Sequence, residues 1–231
     1  MPETKHESPD FFKRLETFVK RNHETLWLGT RFLPVARRRR ALCLLCLDGE
    51  FYRIVTSVNE EMIGQIRLQW WRDEIERLKA GEAPQKSMAG EALGYLLKEN
   101  ADDAAHVLRL LDAYDDHLGK QETRYAENLF GALMDDRPRG GGSSPVSIVC
   151  GRVFQLANQK VSGEPLTDAV NELADRTSSL DDEEWAWVSL FDLLPFWLEK
   201  KNPAPIAKRW RIWRSFLAGE KRLQSRLRRW A

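Results

Sequence analysis

FLPVARRRRALCLLCLDGEFYRIVTSVNEEMIGQIRLQWWRDEIERL, residues 32–78, decides the fold. Pro34 stands where a helix tolerates proline, at its entry. Behind it, Leu42, Leu45, Leu47, Phe51, Ile54, Val55 and Val58 follow helical spacing and predict a long, mostly buried helix. Gly49 is the weak point within it. Asn59-Glu60-Glu61 reads as a cap and an acidic first turn. It opens another helix, carrying Met62, Ile63, Ile66, Trp70, Ile75 and Leu78, which Gly81 ends.

The same period extends outward. Pro9-Asp10 supplies a turn and an N-cap for a helix with Phe11, Phe12, Leu15, Phe18 and Val19 on its apolar face. Further helices are expected at 89–99, 102–118 and 122–136. RPRGGGSSP, residues 137–145, then reads as a flexible connector. Helices at 146–160, 166–179, 182–200 and 204–229 follow, with Pro165 and Pro203 near two of their starts. No stretch alternates with period two between hairpin turns, and no repeat recurs at solenoid periods. A chain of 231 residues leaves little room for two cores, so residues 1–231 are expected to form one all-α domain.

Composition narrows the classes. Hydrophobic residues are 42% of the chain, with nine Trp and ten Phe, which excludes disorder as the default. The net charge of +1 gives the whole molecule no pull toward polyanions, so nucleic acid is not an expected partner. The charge is nevertheless segregated. From Lys200 onward there are eleven Lys and Arg against Glu220, whereas Asp168 to Glu184 holds seven acids against Arg176. The three cysteines make no disulfide framework and fit a reducing compartment. The N-terminus has no apolar signal region, and the apolar run Ala41 to Leu47 is far short of the roughly 20 residues of a membrane span. A cytoplasmic protein that meets a membrane only peripherally, on its inner face, is the expectation.

Phe32-Leu33-Pro34, Ala41-Leu42, Glu50 with Arg53, and above all RLQWWRDEI (67–75) resemble the N-terminal signature of the squalene/phytoene synthase family, and within it the non-catalytic branch of complex I assembly factors. LLDAYDDHL with YAENLFGAL (110–133) and KRWRIWRSFLAGE (208–220) are weaker echoes. The resemblance implies an isoprenoid-synthase-type bundle of helices around a central cavity. Family enzymes join prenyl diphosphates head to head. They hold Mg²⁺ through D-x-x-x-D motifs on two facing helices, since i and i+4 put both carboxylates on one face. Here the first motif reads DGEFY, Asp48 to Tyr52, with Tyr in place of the second Asp. The second should lie in LFDLLPF, where Asp192 is alone and Phe196 stands at i+4. Tyr52 and Phe196 are expected to narrow the cavity.

Other constellations have a functional and a plainer reading. Glu50 and Arg53, with Arg67, Trp70 and Trp71 on the next helix, make a candidate ligand pocket in which Arg67 grips a carboxylate or phosphate. A salt-bridge network orienting two helices is the favoured reading, with Trp70 or Trp71 as a packing residue. Asp112, Asp115 and Asp116 form a carboxylate trio able in principle to hold Mg²⁺, but a solvated face is favoured. Cys43 and Cys46 have C-x-x-C spacing inside an apolar helix and read as buried structural thiols. Arg37 to Arg40 wind around the helix and cannot all aim at one ligand. Near the C-terminus, Ile206, Trp210, Trp213 and Leu217 form a stripe among Arg211, Arg214, Lys221 and other cations. Packing of the stripe on the body is favoured over an anionic membrane contact. An acidic partner or nucleic acid comes third.

These readings lead to a non-catalytic synthase relative without a cofactor. It is expected to act as an assembly or accessory factor for a membrane respiratory complex, or as a binder of an isoprenoid-like ligand. The alternative is an active prenyltransferase of terpenoid biosynthesis, with Mg²⁺ held by degenerate motifs.

Overall fold

Pro34 caps a 23-residue helix, Val35–Ser57 (α3), and that helix is the axis of the molecule. In a computed structural model of the chain, residues 9–118, 125–134, 145–159, 164–177, 180, 182–198 and 204–229 are described. From Ala41 to Asp48 every side chain of α3 is buried, so this segment has no solvent face. A helix that is apolar all round must be surrounded. Helices α1 (Pro9–Asn22), α2 (Glu24–Thr30), α4 (Glu61–Lys79), α5 (Met88–Glu99), α6 (Asp103–Leu118) and α7 (Tyr125–Met134) all contact it.

The remaining helices extend the bundle. α8 (Pro145–Asn158) packs on α7, α9 (Glu164–Arg176) on α8, and α10 (Asp182–Val188) on α2, α7 and α8. A 3₁₀ segment, Ser189–Leu193, leads into α11 (Leu194–Leu198), and α12 (Pro205–Ala218) and α13 (Glu220–Leu227) close the chain against it. No strand occurs among the described residues. One cluster of buried apolar residues runs from Phe11 to Leu227, with Phe51, Tyr114, Phe130, Phe191 and Trp187 among its largest members.

Several boundaries differ from the expectation. Asp10 lies in the first turn of α1, which starts at Pro9. Glu60, not Asn59, occupies the N-cap of α4, without a side-chain capping bond. The helix expected over 182–200 is broken. Pro195 lacks an N–H and its ring opposes the carbonyl one turn back, so the chain tightens into the 3₁₀ segment and restarts with proline in the first turn. The helix expected over 204–229 is broken at Gly219, whose φ of 73° only glycine adopts readily. Gly81 ends the turn after α4 at φ 86°, as expected. The connector at 137–145 lies outside the described residues except for Pro145, which opens α8.

Candidate functional site

Asp48, the surviving half of the first carboxylate motif, is buried in α3. Tyr114 of α6 donates its hydroxyl proton to Asp48 Oδ1 at 2.6 Å, and Nδ1 of His23 lies 3.9 Å from Oδ2. Burial raises the Asp48 pKa, while His23 and the Tyr114 hydrogen bond oppose that shift. Gly49 gives the imidazole its space, since a Cβ there would stand 2.8 Å from His23 Nε2. Tyr52 does not narrow an interior cavity as expected: it is 50% exposed, since past Asp48 the buried face of α3 is Phe51, Ile54 and Val55.

Asp192, the half of the second motif, is also buried. Arg226 of α13 donates to both of its oxygens, at 2.7 Å to Oδ1, and Nε of Arg211 stands 3.3 Å from Oδ2 without a well-aligned hydrogen bond. Phe196 is half-buried beneath the Arg211 guanidinium, 4.7 Å from it. A Mg²⁺–diphosphate cluster needs several converging carboxylate oxygens. Each motif here offers one carboxylate, and an internal partner already holds it. These residues do not fit the metal.

The N-terminal signature makes a groove of about 360 Å³ lined by Glu50, Arg53, Arg67, Trp70 and Trp71. The structure thus brings together all five residues singled out in the sequence. Arg53 and Glu50 form a hydrogen-bonded pair, Nε to Oε2 at 3.0 Å. Glu50 and its hydrogen bond hold the Arg53 guanidinium above its usual pKa. Arg67 departs from the favoured network, since it is exposed and has no ion pair among the described residues. Trp71 is 4% exposed and meets Phe51 edge-on, whereas Trp70 is 43% exposed. Beside Trp70, Met62, Ile63 and Ile66 are exposed.

The trio on α6 is not simply solvated. Arg72 of α4 donates to Asp112 at 2.8 Å and to Asp115 at 3.0 Å, tying the two helices together, while Asp116 stays exposed. Arg72 follows directly on the signature tryptophans, and this role was missed in the sequence. So was Arg40, which grips Asp103 through Nε and Nη2 and donates to the Ala132 carbonyl at 2.6 Å. It joins α3, α6 and α7 and takes one cation out of the arginine run. Cys43, Cys46 and Cys150 are buried free thiols. Burial, with Glu50 nearby, pushes Cys46 up to about 12, so it does not supply a thiolate at neutral pH. Among the described residues no three His, Cys, Asp or Glu side chains are grouped to hold a metal.

The C-terminal stripe reverses the favoured expectation. Ile206, Trp210, Trp213 and Leu217 are 78%, 55%, 51% and 62% exposed. α12 instead buries Ile212 and Ser215, and Lys208 reaches Glu24 at 2.6 Å. Arg211 also points inward, to Asp192, and is not part of the outer face. Arg214 lies over Trp210, 5.0 Å from the ring centroid, and Lys221 is exposed. No helix among the described residues is long and apolar enough to cross a membrane.

Comparison with known proteins agrees with the N-terminal geometry. Residues 19–131 match the family model of squalene/phytoene synthase. Mouse assembly factor 6 of NADH dehydrogenase (ubiquinone) complex I is 28% identical over 127 residues, which are 52% of this chain and 38% of that protein. The human counterpart is 26% identical over the same length and the same shares. The match therefore spans well under half of those relatives. No solved structure matches the chain. Over residues 19–131, from the end of α1 into α7, the chain is therefore similar to the squalene/phytoene synthase family.

Proposed function

We propose that the protein is a non-catalytic member of that family that assists the assembly of a respiratory complex of the NADH dehydrogenase type. The observation that carries this reading is the fate of the two motif carboxylates. Asp48 is held by Tyr114 and faces His23, and Asp192 is held by Arg226. Giving Asp192 to a metal would leave the Arg226 charge uncompensated, and giving up Asp48 would break its buried hydrogen bond with Tyr114. The similarity to complex I assembly factors supports the choice of partner. So does the exposed face of Met62, Ile66 and Trp70 beside Arg67, because aromatic and Arg anchors dominate protein interfaces. The interior is filled by Phe51, Tyr114, Phe130, Phe191 and Trp187, which favours a partner-binding role over carriage of an isoprenoid-like ligand inside the bundle.

The test combines chemistry and genetics. Purified protein with Mg²⁺ and farnesyl or geranylgeranyl diphosphate is expected to give no squalene or phytoene above a protein-free control. Deletion in the native host is expected to lower membrane NADH–quinone reductase activity. Wild type and Asp48→Asn should restore it, and the Ile66→Glu/Trp70→Glu double variant should not. Product formation, or full reductase activity in the deletion strain, would overturn the reading.

A further inference from the structure

Trp27 of α2 is ringed by three cations, Lys20 of α1, Arg31 at the C-cap of α2 and Arg209 of α12. Lys20 Nζ lies 5.1 Å from the ring centroid, the Arg209 guanidinium 5.5 Å and that of Arg31 5.8 Å. Glu16 compensates one of them, accepting from Arg31 at 3.0 Å and from the Trp27 indole at 3.1 Å. Lys20 and Arg209 have no carboxylate partner among the described residues. Like charges gathered around one indole create a positive potential that an anion would relieve. The ring of cations stands at a groove of about 690 Å³ between α2 and α12, within the range of ligand pockets. Among the described residues no acid lines this groove, and its apolar wall includes Leu28, Phe32, Trp210 and Trp213.

The surroundings say which anion fits. Ile206, Trp210 and Trp213 line the outer wall and continue with Leu217 as one exposed stripe of α12. Arg214 beside it, and Lys221, Arg222 and Arg229 farther along the chain, have no carboxylate partner among the described residues. Desolvation, then the neighbouring Arg214 and Arg226, pull the Arg222 guanidinium below its ordinary pKa. A free phosphate would need the cations but not the stripe. An acidic protein would need carboxylates spaced to match cations spread over α1, α2, α12 and α13, whereas a bilayer presents headgroup charge at every point of its surface. An anionic bilayer uses both, since Trp and aliphatic side chains enter the interface while Lys and Arg meet the headgroups. α12 lies beyond residues 19–131, so the family match covers the α2 wall of the groove but not its α12 wall.

We infer that the α2–α12 groove and the outer face of α12 form a docking site for an anionic phospholipid surface, with a headgroup phosphate held between Lys20, Arg31 and Arg209. The site is independent of the assembly-factor reading, because a catalytic protein with the same surface would dock equally well.

Flotation of the full chain with phosphatidylcholine vesicles, alone or mixed with phosphatidylglycerol, tests it. Binding is expected only to the mixed vesicles and should weaken with salt. Replacing both Lys20 and Arg209 by Gln should lower the partition coefficient about thirtyfold, the product of two losses of roughly 1 kcal/mol each. Trp210→Ala/Trp213→Ala should lower it as well, while Lys86→Gln before α5 should leave it unchanged. A circular dichroism melt of each variant separates lost binding from lost folding, and Arg209→Lys, which keeps the charge, should retain most of the binding. Inorganic phosphate and glycerophosphate are the soluble controls. Saturable phosphate binding without flotation would overturn the proposal in favour of a free-phosphate site. No binding to either vesicle, or equal binding to both, would overturn it too.

Discussion

Asp48, the carboxylate present in the first motif, is tied into the interior of the bundle by Tyr114. Burial raises its pKa from the ordinary 3.8, and the Tyr114 hydrogen bond and His23 only partly offset that. The native state therefore binds this proton more tightly than the unfolded chain. Over the interval above pH 3.8, up to the raised folded value, the native form holds more proton than the unfolded one, so stability from this group is present at lower pH and lost as pH rises. Asp48→Asn should remove that slope, and urea midpoints of the two proteins should converge toward pH 4 and separate, with the variant higher, toward pH 7. Parallel midpoints would show that Asp48 does not titrate in this way. Arg40 and Asp103 are the opposite case, a buried bidentate pair with an added bond to a carbonyl. Asp103→Ala leaves the guanidinium without its counter-ion and should cost about 3–5 kcal/mol in denaturant unfolding. That both motifs are half-empty was legible in the sequence, because D-x-x-x-D is a local spacing. Their partners were not, since Tyr114 and Arg226 come from 66 and 34 positions away, and only the packed bundle brings them in.

At the scale of the element, α4 and α12 present the same ambiguity. Helical spacing in α4 admits Met62, Ile66 and Trp70 as one stripe and Gly64, Leu68, Trp71 and Ile75 as another. The second is buried. Periodicity identifies such faces without saying which one turns inward. α12 repeats the lesson, with its most aromatic stripe outside and Ile212 and Ser215 inside. α3 was read correctly because its middle is apolar on every side, which leaves no face to choose. Two variants check the assigned faces by thermal unfolding. Trp71→Ala should cost about 3–5 kcal/mol, as for a buried Trp, and Trp70→Ala much less. A loss at Trp70 as large as at Trp71 would mean that α4 is rotated from the orientation described. Gly151 marks another close approach. A Cβ there would fall 2.6 Å from the Ala126 carbonyl and nearer still to the backbone of Glu127. Gly151→Ala should therefore destabilise the protein despite alanine's better helix propensity, because α7 and α8 must separate.

Across the whole molecule, a long N-terminal bundle built on α3 carries a C-terminal layer that charge helps to fasten. Asp192 sits at the join, with Arg226 reaching it from α13 and Arg211 from α12, while Lys208 pins α12 to Glu24 of α2. The apolar anchors of this layer are few, chiefly Ile212, Leu223 and Leu227, since α12 leaves its larger apolar residues outside. α3, by contrast, has contacts on every side and no exposed middle. Local stability follows such differences in buried contact, and a weakly buried layer opens before the core does. Asp192→Ala removes the common counter-ion of two arginines and leaves both guanidinium groups near one another without an acid between them. Hydrogen exchange read by mass spectrometry is expected to show faster exchange across residues 205–229 in this variant, with the amides of 41–55 still among the slowest. Trp185, whose indole donates to the Phe216 carbonyl at 3.1 Å, should lose its partner in the same opening. Acceleration spread evenly over α3 and α12 would instead mean that the C-terminal layer and the family-matched bundle unfold as a single cooperative unit, with Asp192 stabilising all of it.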